Sequence, residues 1–345
     1  MSRAWPSVPG GLLGPGLLVL LALLARPGLA GGRLSPEMRR CMARGLADRS
    51  LAIGERDAFA LSDPHTGRIL WLQNPRVLAG RLAEPGSIFK VVTAYAALQA
   101  GRVDPGRVFR CRGGRGPARP DGVRCWRRAG HGPVNLAKAL AYSCNLYFAD
   151  LGNRIGEGRL LAAARELGLG RATGSDLPGE LAGRLPALTD GTAGKLAIGQ
   201  GDIRVTPLQL LSLIGAVANG GALLSPRRAH PGDGPGGRRG VLEDAGALRF
   251  IRTALEEAST FGTGSGVRLA RLGVAGKTGT AAWEKVSWRT HAWYMGYAPM
   301  RAPALALVVF VFDGQGSTDA AAAAREIVER GYAQWKACRA ERDRR

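Results

Sequence analysis

Three short clusters of side chains in this sequence have the makings of a nucleophilic site. The first is Glu84-Pro85-Gly86-Ser87-Ile88-Phe89-Lys90, which runs into the apolar stretch Val91 to Leu98. Pro85 and Gly86 punctuate the chain and a helical pattern follows at once, so Ser87 falls at or near a helix N-terminus. Free backbone N–H groups and the positive dipole end there favour a developing negative charge. Lys90 is one turn further along the same face, within reach of the Ser87 hydroxyl. A serine becomes a nucleophile only when a base takes its proton, and an apolar setting beside other cations lowers a lysine's pKa enough to supply that base. For so short a motif, a serine cap followed by a surface lysine is the plain alternative. Two further clusters of hydroxyl, amine and amide side chains follow, Ser143-Cys144-Asn145 and Lys277-Thr278-Gly279, each occurring once, in that order.

Composition sets the frame. The chain has 345 residues, 46% hydrophobic, with a net charge of +21 carried almost wholly by arginine. The lysines are few, namely Lys90, Lys138, Lys195, Lys277, Lys285 and Lys336, so the two in the motifs are not by-products of a lysine-rich chain. The arginines are scattered without a dense basic block, which favours a solvated basic surface over nucleic-acid binding. Residues 1–30 have the pattern of an export signal: Arg3, an apolar core from Leu12 to Ala25, and the small residues Gly28 and Ala30 at the minus-three and minus-one positions for cleavage after Ala30. An uncleaved membrane anchor is the rival, although the apolar run is short of the roughly 20 residues a spanning helix needs. Export permits disulfides. Cys111 and Cys125 flank a Gly-, Pro- and Arg-rich loop that a bridge would staple. The cysteine spacing is not that of a zinc site, and His65, His131, His230 and His291 are dispersed, so no metal or cofactor is expected.

These residues need elements to position them. Ala58 to Ser62 and Arg68 to Gln73 are predicted strands joined by the turn Asp63-Pro64-His65-Thr66-Gly67. Leu34 to Ile53, Ser87 to Gly101, Val134 to Leu151 and Gly156 to Leu167 are predicted helices, as are Thr206-Pro207 to Asn219, Glu243 to Ser259 and Thr318 to Lys336. Ser143 and Asn145 are two apart, so one regular helix cannot aim both at one site; a helix end or short loop is required there. Pro226 to Gly240 has loop composition. Val274 to Trp283, His291 to Tyr297 and Ala304 to Phe312 have strand lengths and patterns. The early hairpin is expected to join the late strands in one sheet, giving an α+β fold with the middle helices as a second lobe and a cleft between.

The motif set resembles the serine-active-site penicillin-recognising family, and within it the transpeptidase module of class B penicillin-binding proteins. The likeness extends to Asp63-Pro64-His65-Thr66-Gly67, His131-Gly132, Asp176-Leu177-Pro178-Gly179-Glu180, and Ile198-Gly199-Gln200-Gly201 running to Thr206-Pro207-Leu208-Gln209. Ala218-Asn219-Gly220-Gly221, Lys277-Thr278-Gly279-Thr280 and His291 to Pro299 complete it, from about Ala58 to about Tyr332. The resemblance implies an antiparallel sheet flanked by helices beside an all-helical lobe (residues 31–345), acting on peptidoglycan stem peptides at the periplasmic or outer face of the cytoplasmic membrane. It implies Ser87 as nucleophile, Lys90 as its base, Ser143 as proton relay and Asn145 as a holder of the substrate amide. Lys277 and Thr278 would face the substrate carboxylate. Gly279 would make room for a peptide added along the strand, and the N–H groups of Ser87 and Thr280 would form the oxyanion hole. β-Lactams are the implied inhibitors and cell-wall synthesis proteins the candidate partners. Terminal helices that pack together, as in such folds, imply a second bridge, Cys41 to Cys338, leaving Cys144 a buried free thiol. The usual N-terminal pedestal domain is not expected. D,D-carboxypeptidase, β-lactamase and a non-catalytic penicillin or peptidoglycan sensor remain the competing functions. A class A β-lactamase would need a deacylating glutamate, for which Glu180 is the candidate. A class D enzyme would carry an apolar residue at Asn145.

Overall fold

The computed structural model describes residues 33–101, 103–115, 121–188, 192–228, 237–283 and 286–344. The expected export segment lies outside them. The strands are β1 (Ala58–Ser62), β2 (Arg68–Gln73), β3 (Phe109–Cys111), β4 (Gly132–Val134), β5 (Ala222–Leu224), β6 (Arg227–Arg228), β7 (Arg238–Val241), β8 (Ala275–Trp283), β9 (Val286–Ala298) and β10 (Leu305–Val311). The helices are α1 (Pro36–Ala47), α2 (Pro75–Gly80), α3 (Lys90–Gln99), α4 (Leu136–Ala141), α5 (Asn145–Ile155), α6 (Glu157–Glu166), α7 (Ala193–Leu196), α8 (Pro207–Asn219), α9 (Ala245–Thr260) and α10 (Ala321–Arg342).

The main sheet runs β6-β2-β1-β10-β9-β8. The early hairpin does join the late strands, through antiparallel pairing of β1 with β10. Only the two-residue β6 departs from an antiparallel sheet, pairing parallel to β2, so the sheet is mixed. Arg227 N–H donates to the Gly67 carbonyl (3.0 Å) and Arg228 N–H to the Asp176 carboxylate (3.0 Å), which draws this part of the expected loop onto the sheet edge. The central strands lack apolar–polar alternation because both faces are covered. Ala58, Ala60, Val308 and Phe310 face a core shared with α3, α8 and α9. Phe59, Leu61, Leu307 and Val309 face a second core built with α1 and α10. Met42 and Leu46 of α1 are fully buried there, each worth about 1.5–3 kcal/mol of apolar transfer.

Local chemistry sets the helix ends. Thr206 caps α8 in a reciprocal box with Gln209, with Pro207 at the first helical position, as its sequence predicts. Helix α1 stops at Ala47, short of the expected Ile53. The residues beyond it are claimed by β2: Trp71 Nε1 donates to the Arg49 carbonyl (2.8 Å), and Leu51 N–H donates to Gln73 Oε1 (2.9 Å). The Cys41–Cys338 disulfide ties α1 to α10, with Cα atoms 5.8 Å apart. Among the described residues no helix is long and apolar enough to cross a membrane.

Candidate active site

Ser87 sits on a single 3-10 turn, Gly86–Phe89, that feeds directly into α3. The turn is wedged between two backbones. Gly86 has φ of 50°, and a Cβ there would lie 2.5 Å from the Thr280 carbonyl oxygen of β8. Gly86 N–H donates to the Gly199 carbonyl (3.0 Å), so the tight Gly199-Gln200-Gly201 feature backs the nucleophile, a role its sequence did not reveal. In front of the turn, the Glu84 carbonyl accepts from His291 Nε2 and Trp293 Nε1 of β9, both at 2.8 Å. Burial pushes His291 down to about 4, so it serves as a neutral donor.

Lys90 opens α3 and is fully buried. Its Nζ lies 2.9 Å from Ser87 Oγ, 2.9 Å from Ser143 Oγ, 2.8 Å from the Ser143 carbonyl oxygen and 2.6 Å from Asn145 Oδ1. Burial lowers its pKa to about 7, against an opposing pull from the Cys144 and Cys125 sulfurs. The amine is therefore available as a base near neutrality while in contact with the hydroxyl it would deprotonate.

Ser143 and Asn145 converge because the expected Val134–Leu151 helix is broken. Its start is β4, and α4 ends at Ala141. Ser143 takes a left-handed φ of 55°, and α5 begins at Asn145 with Cys144 as its N-cap. A non-glycine residue in that region is uncommon and belongs to sites where surroundings enforce it. They do so here: Trp126 Nε1 donates to the Tyr142 and Ser143 carbonyls (3.2 Å each), and Asn145 Nδ2 donates to the Arg124 carbonyl (2.9 Å).

The third motif lies on β8, the edge strand of the sheet, which among the described strands pairs with β9 alone; an edge strand is where an extended peptide can add. Lys277 is fully buried and donates to the Thr278 carbonyl (2.9 Å); burial, then the Lys90 charge, lower its pKa well below the usual lysine range. Thr278 Oγ1 is 2.7 Å from Thr263 Oγ1. Gly279 has a packing reason beyond room for a ligand: a Cβ there would meet Ile88 Cγ1 at 2.8 Å and the Pro85 carbonyl at 3.0 Å. Thr280 Oγ1 accepts from Gly316 N–H (3.0 Å), and Thr280 borders the Ser87 turn. Glu180 is occupied elsewhere. Its carboxylate accepts from Thr173 N–H (2.6 Å), Ser175 N–H (3.1 Å) and the Thr173 hydroxyl, pinning its own loop.

The expected Cys111–Cys125 bridge is not formed. Both are free thiols with sulfurs 3.7 Å apart, against about 2.05 Å for a disulfide. Two further groups share the space between them: His131 Nδ1 stands 3.6 Å from Cys111 Sγ and 3.3 Å from Cys125 Sγ. Cys144 completes a set of four ligand atoms, all within 4.8 Å of one another. Linear spacing hid this group, because the β3–β4 pairing and the break before α5 bring its members together.

Residues 58–329 match the family described as "Penicillin binding protein transpeptidase domain". Over 256 residues the chain is 33% identical to stage V sporulation protein D of Bacillus subtilis, covering 68% of this chain and 39% of that protein. It is 29% identical over 355 residues to the peptidoglycan D,D-transpeptidase MrdA of Acinetobacter baumannii, covering 82% and 52%. It thus spans about half or less of these relatives. Among solved structures, PBP2 of Pseudomonas aeruginosa, in complex with WCK 5153, aligns with a TM-score of 0.70 at 26% identity, covering 87% of this chain and 74% of that one. PBP2 of Helicobacter pylori, solved in complex with MreC, aligns with a TM-score of 0.72 at 25% identity, covering 80% and 60%. The Ser87–Lys90–Ser143–Asn145 constellation thus lies inside a matched segment that takes in most of the chain, and the chain belongs to the penicillin-binding protein transpeptidase family.

Proposed function

We propose that this chain is a D,D-transpeptidase that cross-links peptidoglycan stem peptides through an acyl-enzyme on Ser87. The observation that carries the reading is the buried Lys90 amine, in contact with Ser87 Oγ, Ser143 Oγ and Asn145 Oδ1 at once. Neutral Lys90 takes the Ser87 proton as Oγ attacks the carbonyl carbon of the D-Ala-D-Ala bond. The oxyanion that forms is met by the N–H groups of Ser87 and Thr280, where the β8 edge abuts the turn. Ser143, bridged to Lys90, passes a proton to the departing D-Ala amine, and Asn145 holds the substrate amide. Thr278 and Lys277 provide the polar ground for the terminal carboxylate. An acceptor amine then attacks the ester, gives up its proton by the reverse route, and frees Ser87. The donor peptide lies along β8 as an added strand.

On this reading residues 31–345 work as one transpeptidase-like domain, exported by residues 1–30 and active at the outer face of the cytoplasmic membrane. β-Lactams acylate Ser87. Cell-wall synthesis proteins are the fitting partners, since the H. pylori PBP2 neighbour was solved with MreC and another neighbour comes from a peptidoglycan synthase complex. The engagement of Glu180 with Thr173 and Ser175 disfavours rapid ester hydrolysis. The test is labelling with fluorescent penicillin followed over time. Wild type should acquire label and keep it for many minutes, and Ser87→Ala should acquire none. Label that persists in Ser87→Ala, or multiple turnovers per second, refutes the assignment.

A further inference from the structure

The three buried thiols beside the active site, with one histidine among them, take no direct part in the acyl-transfer steps set out above. Cys111 ends β3, Cys125 lies in the following loop, His131 precedes β4, and Cys144 caps α5. A zinc ion with Zn–S near 2.3 Å and Zn–N near 2.0 Å spaces tetrahedral ligand atoms about 3.5–3.8 Å apart. The observed separations among Cys111 Sγ, Cys125 Sγ and His131 Nδ1 are 3.7, 3.6 and 3.3 Å, with Cys144 Sγ in the same group. The enclosing backbone is built for close approach. Gly113 and Gly130 take φ of 61° and 78°, and a Cβ on Gly130 would lie 2.3 Å from the Cys111 carbonyl oxygen. Three sulfurs and one imidazole nitrogen select a soft or borderline divalent ion, and a closed four-ligand shell leaves no position for catalysis.

We propose that Cys111, Cys125, His131 and Cys144 form a zinc-class metal site that positions the second active-site motif, and that metal binding and a Cys111–Cys125 disulfide are mutually exclusive states of it. The ion would clamp the end of β3, the loop that holds Ser143 and Asn145 through Trp126 and Arg124, and the start of α5 to one another. The disulfide state removes two ligands at once. A thiolate of the pair attacks an external disulfide, forms a mixed disulfide and releases one thiol. The second cysteine displaces the other thiol and closes the bridge. Two protein thiols are oxidised, one external disulfide is reduced to two thiols, and the metal leaves. Closing the bridge also draws the two sulfurs from 3.7 Å to about 2.05 Å, shifting the loop against Ser143.

The test uses the full chain, purified with thiols reduced and zinc supplied. Elemental analysis should find one zinc per chain, and cobalt replacing it should give a thiolate-to-metal charge-transfer band. Both are read without substrate, so failure of the transpeptidase reading leaves them standing. Cys125→Ser should lose the metal. Cys125→Asp, which keeps a ligand atom and guards against misfolding, should bind cobalt with a weakened band. Oxidised glutathione should release zinc in step with Cys111–Cys125 bridging, seen by peptide mapping, and slow penicillin acylation by about tenfold, a typical coupling between linked sites. Reduced, zinc-replete protein without metal or charge-transfer band overturns the proposal. So does metal kept when the bridge forms, an undiminished band in Cys125→Asp, or acylation indifferent to the exchange.

Discussion

The pH dependence of acylation follows from the placement of Lys90. An ordinary lysine at 10.5 is neutral in roughly one molecule in three thousand at pH 7. Burial brings Lys90 to about 7, so about half of the molecules hold the free amine at that pH, a gain in available base of roughly a thousandfold. The sign is fixed by which form reacts. Only neutral Lys90 can accept the Ser87 proton, so the acylation rate should fall about tenfold per pH unit below 7 and level off above about 8. Lys90→Arg, which keeps a cation that cannot be deprotonated, should lose about a thousandfold at pH 8. The assay is the second-order rate constant for fluorescent penicillin, sampled by denaturing quench from pH 5 to 9. A rate that is flat between pH 6 and 8, or that rises as pH falls, refutes the assignment of Lys90 as base. The same depression predicts that stability rises with pH from about 7 to 10.5, because across that window the unfolded chain binds the proton and the folded chain does not.

Three other outcomes are expected. Glu180→Ala should leave the lifetime of the penicillin acyl-enzyme unchanged but lower stability by about 1–3 kcal/mol in urea titration, because it strips partners from Thr173 and Ser175. Gly86→Ala should slow penicillin acylation sharply, since its Cβ would collide with the Thr280 carbonyl at a left-handed φ; a wild-type rate would show that the β8 edge is free to move from Ser87. Replacing Cys41 and Cys338 together by serine should cost about 2–5 kcal/mol in denaturant unfolding while active enzyme still acylates at the wild-type rate, since the bridge ties α1 to α10 and contributes no group to the site.

The parts of the fold legible in the sequence were those written in local chemistry. The β1–β2 hairpin has the predicted bounds because Asp63 and Gly67 close its turn: Asp63 accepts from His65 N–H at 2.8 Å, and Gly67 takes φ of 71°. The same holds for the Thr206-Pro207 cap. The two-residue spacing of Ser143 and Asn145 required a break between them, and the left-handed Ser143 supplies it. Features set by distant partners were not legible. The end of α1 is decided by Trp71 and Gln73 on β2, and the parallel β6 by Gly67 and Asp176. The cysteines misled for the same reason: Cys111 and Cys125 flank one loop and invite pairing, whereas His131 and Cys144 reach them only after β3 pairs with β4 and α4 gives way to α5.

Acyl transfer from Ser87 to an amine is tested most directly by turnover of a stem-peptide donor ending in D-Ala-D-Ala, with and without an amine acceptor, followed by mass spectrometry. A D,D-transpeptidase acting through Ser87 should release one D-Ala, form a donor–acceptor amide that accumulates with acceptor, and lose both in Ser87→Ala. Release of D-Ala with hydrolysed donor as the sole product, however much acceptor is supplied, would contradict that assignment.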